Sequence, residues 1–251
     1  MKKHKKNKPN LNNNNFYDGN EMQSNGGKCE FLIKERFKYT EKQINIIKIA
    51  LEKDTRAIFC DGIWGSGKSF IAVLIALKLL SHKKINGIIY IRNPIESSST
   101  SKIGSLPGSI LEKMEPYNQI FFDKLSELLT SPDLDKLKKS NKIECIPLGY
   151  ARGLSWESKV VIVDEAASLT YDDILLLLTR CGDHTRIIFI GDSINQNDIG
   201  TKSGFRKIYN LFSDEESKNN GVFTFELNQE TDIVRSGFVR FVMKKTGKIV
   251  N

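Results

Sequence analysis

The chain has 251 residues, 39% of them hydrophobic and 27% charged, enough for one α/β domain or two small ones with a sizeable core. No apolar run approaches the ~20 residues of a membrane-spanning helix, and the lysine-rich start leads into asparagines rather than an apolar segment, so membrane and secreted readings are excluded. Six lysines against Asp18 and Glu21 put half of the net charge of +8 in residues 1–28, and the mildly basic remainder permits a polyanionic partner without demanding one.

Residues 1–28 hold too few apolar side chains to offset their ordering entropy and are expected to form a disordered, basic, Asn-rich tail; residues 29–251 read as a single domain. Along that domain the pattern alternates. Strands are expected at 56–60, 87–92, 142–147, 159–164, 186–191 and 222–226, several of them short β-branched runs suited to burial on both faces. Helices are expected at 68–80, 171–180 and 238–245. A further helical repeat runs through Ile110, Met114, Tyr117, Phe121, Leu125 and Leu128, with Pro116 expected to start a new helix. Alternating β and α elements predict an α/β fold, a mostly parallel sheet with helices on both faces. Cys29, Cys60, Cys145 and Cys181 are scattered, as are His4, His82 and His184. Neither a zinc site nor a disulfide framework is expected, and a reducing cytosol suits the chain.

Two motifs carry chemistry. Gly62-Ile63-Trp64-Gly65-Ser66-Gly67-Lys68-Ser69 matches G-x-x-x-x-G-K-[ST] between an expected strand and an expected helix. Its glycines let backbone amides face phosphates at the positive end of a helix dipole, Lys68 is expected to reach the β- and γ-phosphates of ATP, and the Ser69 hydroxyl to bind Mg²⁺. Val160-Val161-Ile162-Val163 then delivers Asp164 and Glu165 to a strand end. Asp164 is the expected carboxylate facing Mg²⁺; Glu165 is the expected base for the attacking water, which makes this a hydrolase rather than a passive nucleotide binder. A third strand ends at Gly191-Asp192. Asp192, with Asn195 or Gln196 beyond it, either senses the γ-phosphate or serves a turn rich in Asp, Ser and Asn.

Further segments follow in order: Ile91-Arg92-Asn93-Pro94; Gly104-Ser105-Leu106-Pro107-Gly108 with Lys113 and Glu115-Pro116-Tyr117; Pro147-Leu148-Gly149-Tyr150-Ala151-Arg152-Gly153; Leu178-Thr179-Arg180; Ser203-Gly204-Phe205; and Asp232-Ile233-Val234-Arg235. Together with the phosphate loop they resemble the PhoH-like family of P-loop ATPases, related to superfamily 1 helicases, from about Tyr39 to Met243. The resemblance implies a RecA-like core, ATP hydrolysis, action on RNA, and homo-oligomers that could form rings. By analogy Gln43 recognises the adenine edge, the alternative being a solvated residue on an amphipathic helix. Arg235 resembles an arginine that stabilises transition-state charge, either within the chain or across a subunit interface, the alternative being a plain salt bridge. Arg92, Arg152 and Arg180 are candidates for phosphate or nucleic-acid contacts, each with a structural alternative.

The chain departs from the family pattern at Ala167, where a glutamine is usual, and beyond Asp192, where one residue is extra. Trp64 stands where the family prefers alanine; its carbonyl can still serve the loop. Residues 1–38 are too short for the nuclease module that some members carry. Three functions are weighed: an ATPase coupled to RNA, a DNA-directed motor ATPase, and a nucleotide-gated assembly protein with little turnover. Superfamily 1 helicases couple two such cores, so unwinding by this chain would need several subunits.

Overall fold

A computed structural model of the chain describes residues 31–34, 38–92, 110–195 and 199–249. The expected disordered tail at 1–28, the Gly104–Gly108 segment, Asn93-Pro94 and Gln196 lie outside these residues.

Six strands form one sheet: β1 (Ala57–Gly62), β2 (Gly87–Arg92), β3 (Ile143–Ile146), β4 (Lys159–Asp164), β5 (Arg186–Gly191) and β6 (Val222–Leu227), in the order β3-β2-β4-β5-β1-β6. Every pairing is parallel. All six were predicted, to within two residues at each end. The one consequential difference is at β1, which continues through Asp61 to Gly62 and so enters the phosphate loop without a gap.

The continuous apolar runs have a direct reason. In β1, β2, β4 and β5 successive residues alternate between two buried clusters. Ile58, Cys60, Ile88, Tyr90, Val160, Ile162, Ile188 and Ile190 enter one. Ala57, Phe59, Ile89, Ile91, Val161, Val163, Ile187 and Phe189 enter the other. A strand covered on both faces needs no polar alternation. The first face is covered by α1 (Glu41–Leu51), α2 (Lys68–Ser81), α3 (Ile110–Leu128) and α4 (Ser131–Lys139); the second by α5 (Tyr171–Leu178) and α6 (Phe205–Leu211). Stacked rings close both layers, Tyr90 on Phe121 at 4.5 Å between centroids and Phe59 on Phe189 at 4.8 Å.

Two helical expectations need correction. Pro116 does not begin a helix; it lies inside α3. Phe121, Leu125 and Leu128 bury that helix against the first face, and this packing outweighs the lost amide hydrogen bond. Expected helix 171–180 stops at Leu178, because Thr179 caps it and Arg180 turns toward Trp156. Short α7 (Glu215–Asn219) and the final helix α8 (Gly237–Lys245) complete the fold. Among the described residues no helix is long and apolar enough to cross a membrane.

The strand order locates the site. From β1 the chain leaves through α2 over the first face, whereas β4 and β5 lead to α5 and α6 on the second. Neighbouring strands whose exits diverge leave a crevice at their carboxyl ends, where open α/β sheets bind ligands.

Candidate active site

At that crevice lies a cavity of about 650 Å³, within the range of small-molecule sites. Gly65, Gly67, Lys68 and Ser69 line it together with Asp164 and Glu165.

The loop between β1 and α2 turns on two glycines in the left-handed region, Gly65 at φ 78° and Gly67 at φ 79°. Gly67 is the N-cap of α2 and offers no side-chain cap, so the first amides of that helix point into the cavity without a protein acceptor from the cap. Internal bonds hold the curl: Ser66 Oγ donates to the Ile63 carbonyl (2.7 Å), and Lys68 Nζ donates to the carbonyls of Gly62 (2.5 Å) and Ile63 (3.0 Å). Two flanking segments clasp the loop. Gln43 Nε2 donates to the Ser66 carbonyl (2.9 Å), and the Val234 amide donates to the Gly65 carbonyl (3.0 Å).

Asp164, 6% exposed, ends β4. Its Oδ2 accepts from the Tyr90 hydroxyl at 2.7 Å, and its Oδ1 from the Glu165 amide at 3.0 Å. Burial pushes the Tyr90 phenol up and the neighbouring Asp164 pushes it further, so it stays protonated and donates. Glu165 leaves the strand in the left-handed conformation, φ 56° and ψ 40°, and its Oε1 accepts from Arg92 Nη2 at 3.2 Å. Arg92 Nη1 lies 3.8 Å from Asp164 Oδ2. Burial opposes the Arg92 charge, but Asp164, Tyr90 and Glu165 outweigh it and hold its pKa above the usual guanidinium value.

The donor set suits Mg²⁺. Ser69 and the buried Asp164 carboxylate face one cavity, and among the described residues no group of three or more His, Cys, Asp and Glu side chains could hold a metal alone. Magnesium takes one or two protein oxygens, phosphate oxygens and waters.

The other expected residues divide. Gln43 lines the cavity and is not the solvated residue of the alternative: it is 2% exposed, its Oε1 accepts from the Thr40 amide (3.0 Å), and it closes a capping box at the start of α1. Both ends of its carboxamide are engaged. Arg235 is exposed and lines the cavity of its own chain beside Gly65. Asp192 does not line the cavity; its carboxylate accepts from the amides of Ile194 (3.2 Å) and Asn195 (2.8 Å) and from Asn195 Nδ2 (3.3 Å), the turn-stabilising alternative. Arg92 is not on an open surface but between the two carboxylates. Arg152 is exposed on the segment joining β3 to β4. Arg180 lies at the opposite end of the sheet, its carbonyl accepting from Trp156 just before β4 begins, out of reach of a nucleotide phosphate in the cavity.

Sequence reasoning missed Asp61, which is fully buried. Its carboxylate accepts from the Ser193 amide (3.0 Å) and hydroxyl (2.5 Å) and pairs with Arg206 (2.8 Å), which also pairs with Glu226 (2.7 Å). The signal was an acid directly after an apolar strand, hidden by ending that strand at Cys60. Tyr90 was missed too, although its hydroxyl in an apolar strand two residues before Arg92 placed both on one face.

Comparison with known proteins places the chain in a family. The sequence model described as "PhoH-like protein" matches residues 36–246. The chain belongs to the PhoH-like family. It is similar to a PhoH-like protein of Synechocystis, 33% identical over 207 residues that make up 82% of this chain and 60% of the relative. A PhoH-like protein of Bacillus subtilis is 32% identical over 202 residues, 80% of this chain and 61% of that protein. This PhoH-like chain therefore spans about three fifths of the length of these relatives. Among solved structures, the large terminase of a thermophilic bacteriophage superposes with a TM-score of 0.52 at 11% identity, over 83% of this chain and 50% of the terminase. That likeness shows the fold alone, a RecA-like P-loop core.

Proposed function

We infer that this chain is a Mg²⁺-dependent ATPase whose turnover is coupled to binding or remodelling of nucleic acid, RNA before DNA, in the cytosol and as a homo-oligomer. One observation carries the catalytic part: the phosphate loop and the Asp164–Glu165 strand end line a single cavity. The RNA part rests on family membership and on the basic charge of the chain.

In this reading each residue of the site has a role. Loop amides at the start of α2 bind the phosphates. Lys68 leaves the Gly62 and Ile63 carbonyls for the β- and γ-phosphates, exchanging two neutral acceptors for charged ones. Ser69 and Asp164 would hold Mg²⁺, which when bound neutralises charge on the phosphate oxygens. Glu165 takes the proton of the attacking water, and Arg235 in the same chain offsets charge developing on the transferred phosphoryl group.

The test is steady-state ATP hydrolysis with Mg²⁺, alone and with single-stranded RNA or DNA. Wild-type activity should rise with RNA. Lys68→Ala should lower turnover by a factor of about 100 or more and weaken ATP binding, whereas Glu165→Gln should lose turnover to a similar degree and keep binding. Tight ATP-dependent oligomerisation without hydrolysis would instead make the chain a nucleotide-gated assembly protein. Equal stimulation by DNA would remove the preference for RNA.

A further inference from the structure

Arg92 and Asp164 are register partners at the carboxyl ends of the adjacent strands β2 and β4, so their side chains leave the sheet on the same face. Tyr90, two residues earlier on β2, shares that face and bonds the same carboxylate. Glu165 would point to the opposite face if β4 continued. Its left-handed backbone turns it back, and the side chain ends on Arg92 at 3.2 Å. The pair is largely withdrawn from water, with 15% of the Arg92 side chain and 13% of the Glu165 side chain exposed. A carboxylate held this way has one oxygen committed to a cation. The resting arrangement therefore restrains the group on which hydrolysis depends.

Arg92 is also the last residue of its strand, and its side chain is not fully buried. A planar guanidinium binds phosphate as readily as carboxylate, in the same bidentate manner. One cation thus has two anionic partners in competition: Glu165, and any phosphodiester brought to the carboxyl end of β2.

We propose that Arg92 is the positioning residue that couples hydrolysis to nucleic acid: in the resting protein it holds the Glu165 carboxylate in an ion pair at the edge of the cavity, and a backbone phosphate of a bound single strand draws the guanidinium away and releases that carboxylate. The coupling rests on Glu165 being the water-activating base, as inferred above. It makes low turnover without nucleic acid a property of one ion pair.

Linkage supplies a test that does not depend on turnover. If Glu165 and the phosphodiester compete for Arg92, removing the Glu165 charge must strengthen RNA binding through Arg92. Fluorescence titration of a labelled single-stranded oligoribonucleotide should give about fivefold tighter binding for Glu165→Gln than for wild type. That gain should vanish when Glu165→Gln is introduced beside Arg92→Gln, which keeps bulk and polarity at the site. Both variants are first checked for retained ATP-analogue binding and thermal unfolding. In the hydrolysis assay Arg92→Gln should raise basal turnover toward the stimulated level and reduce the RNA-dependent increase to within about twofold. Arg92→Lys, which keeps the charge without the bidentate fork, should fall between.

An equal gain in RNA affinity from Glu165→Gln in both backgrounds would overturn the proposal, because the effect would then be general electrostatics. A loss of basal turnover in Arg92→Gln with an unchanged stimulation ratio would also overturn it and make Arg92 a structural prop. If wild type hydrolyses no ATP, or its hydrolysis ignores nucleic acid, the functional reading itself fails first, which the wild-type arm reports separately.

Discussion

Gly67 is where the phosphate loop is least tolerant. It sits at φ 79°, and an added Cβ would lie 3.0 Å from Gln43 Nε2 and 3.2 Å from Val234. Gly67→Ala should therefore cost about 1–2 kcal/mol in backbone conformation alone. It should weaken ATP binding more than it lowers the unfolding temperature, because relief of the contact moves the amides that hold phosphate. Calorimetric ATP titration beside a melting curve separates the two effects, and a pure loss of stability with unchanged affinity would contradict it. Gly67 was legible in the motif. Asp61 was not, because nothing within a few residues of it announces Arg206 and Ser193, each more than 130 residues away.

Among the elements, α1 has a role that its amphipathic pattern does not reveal. Thr40 and Gln43 form its capping box, and the same Gln43 amide reaches the Ser66 carbonyl, so the start of a peripheral helix is tied to the phosphate loop. Thr40→Ala should lower stability by about 1 kcal/mol, roughly 2–4 °C for a chain of this size, and leave ATP affinity nearly unchanged. Gln43→Ala also strips a partner from the buried Ser66 carbonyl. It should cost about 1–3 kcal/mol and reduce ATP affinity as well. Identical affinity in both variants would mean that the Gln43–Ser66 bond is irrelevant to the loop. Lys42 reinforces the same junction by pairing with buried Asp232 at 2.8 Å, just before Val234 and Arg235. The strands were legible because burial on two faces leaves a distinctive apolar run. Pro116 inside α3 was not, because local chemistry argues for a break and only packing on the sheet overrides it.

Across the whole molecule, burial sets the response to alkali. The thiols of Cys60, Cys145 and Cys181 are each pushed up to about 12, chiefly by loss of water around them. A thiol pKa is about 8.5 in the unfolded chain. Because the folded value is the higher one, the unfolded state releases these protons first. The contribution to stability is then complete below about pH 8.5 and is lost as the pH rises toward 12. The burial-raised phenol of Tyr90 acts in the same direction. Denaturant midpoints at constant ionic strength should fall across that window, and the fall should be smaller in a Cys145→Ala, Cys181→Ala double variant. A flat profile above pH 9 would show that these thiols meet water in the folded chain.

By itself the sequence determined six strands, the α/β class, the phosphate loop and the acidic end of β4, since each depends on residues within one turn or one strand of each other. It also carried enough ordered segments to indicate the family. Only the tertiary structure decided which groups meet. It put Arg92 on Glu165, 73 residues away, turned Asp192 into its own loop, engaged both ends of Gln43, brought Arg235 to its own cavity and sent Arg180 to the far end of the sheet. The physical reason is strand order. Local periodicity says that a segment is a strand and which residues share a face, but β2, β4, β5 and β1 become neighbours only through crossovers whose outcome depends on packing two whole layers at once.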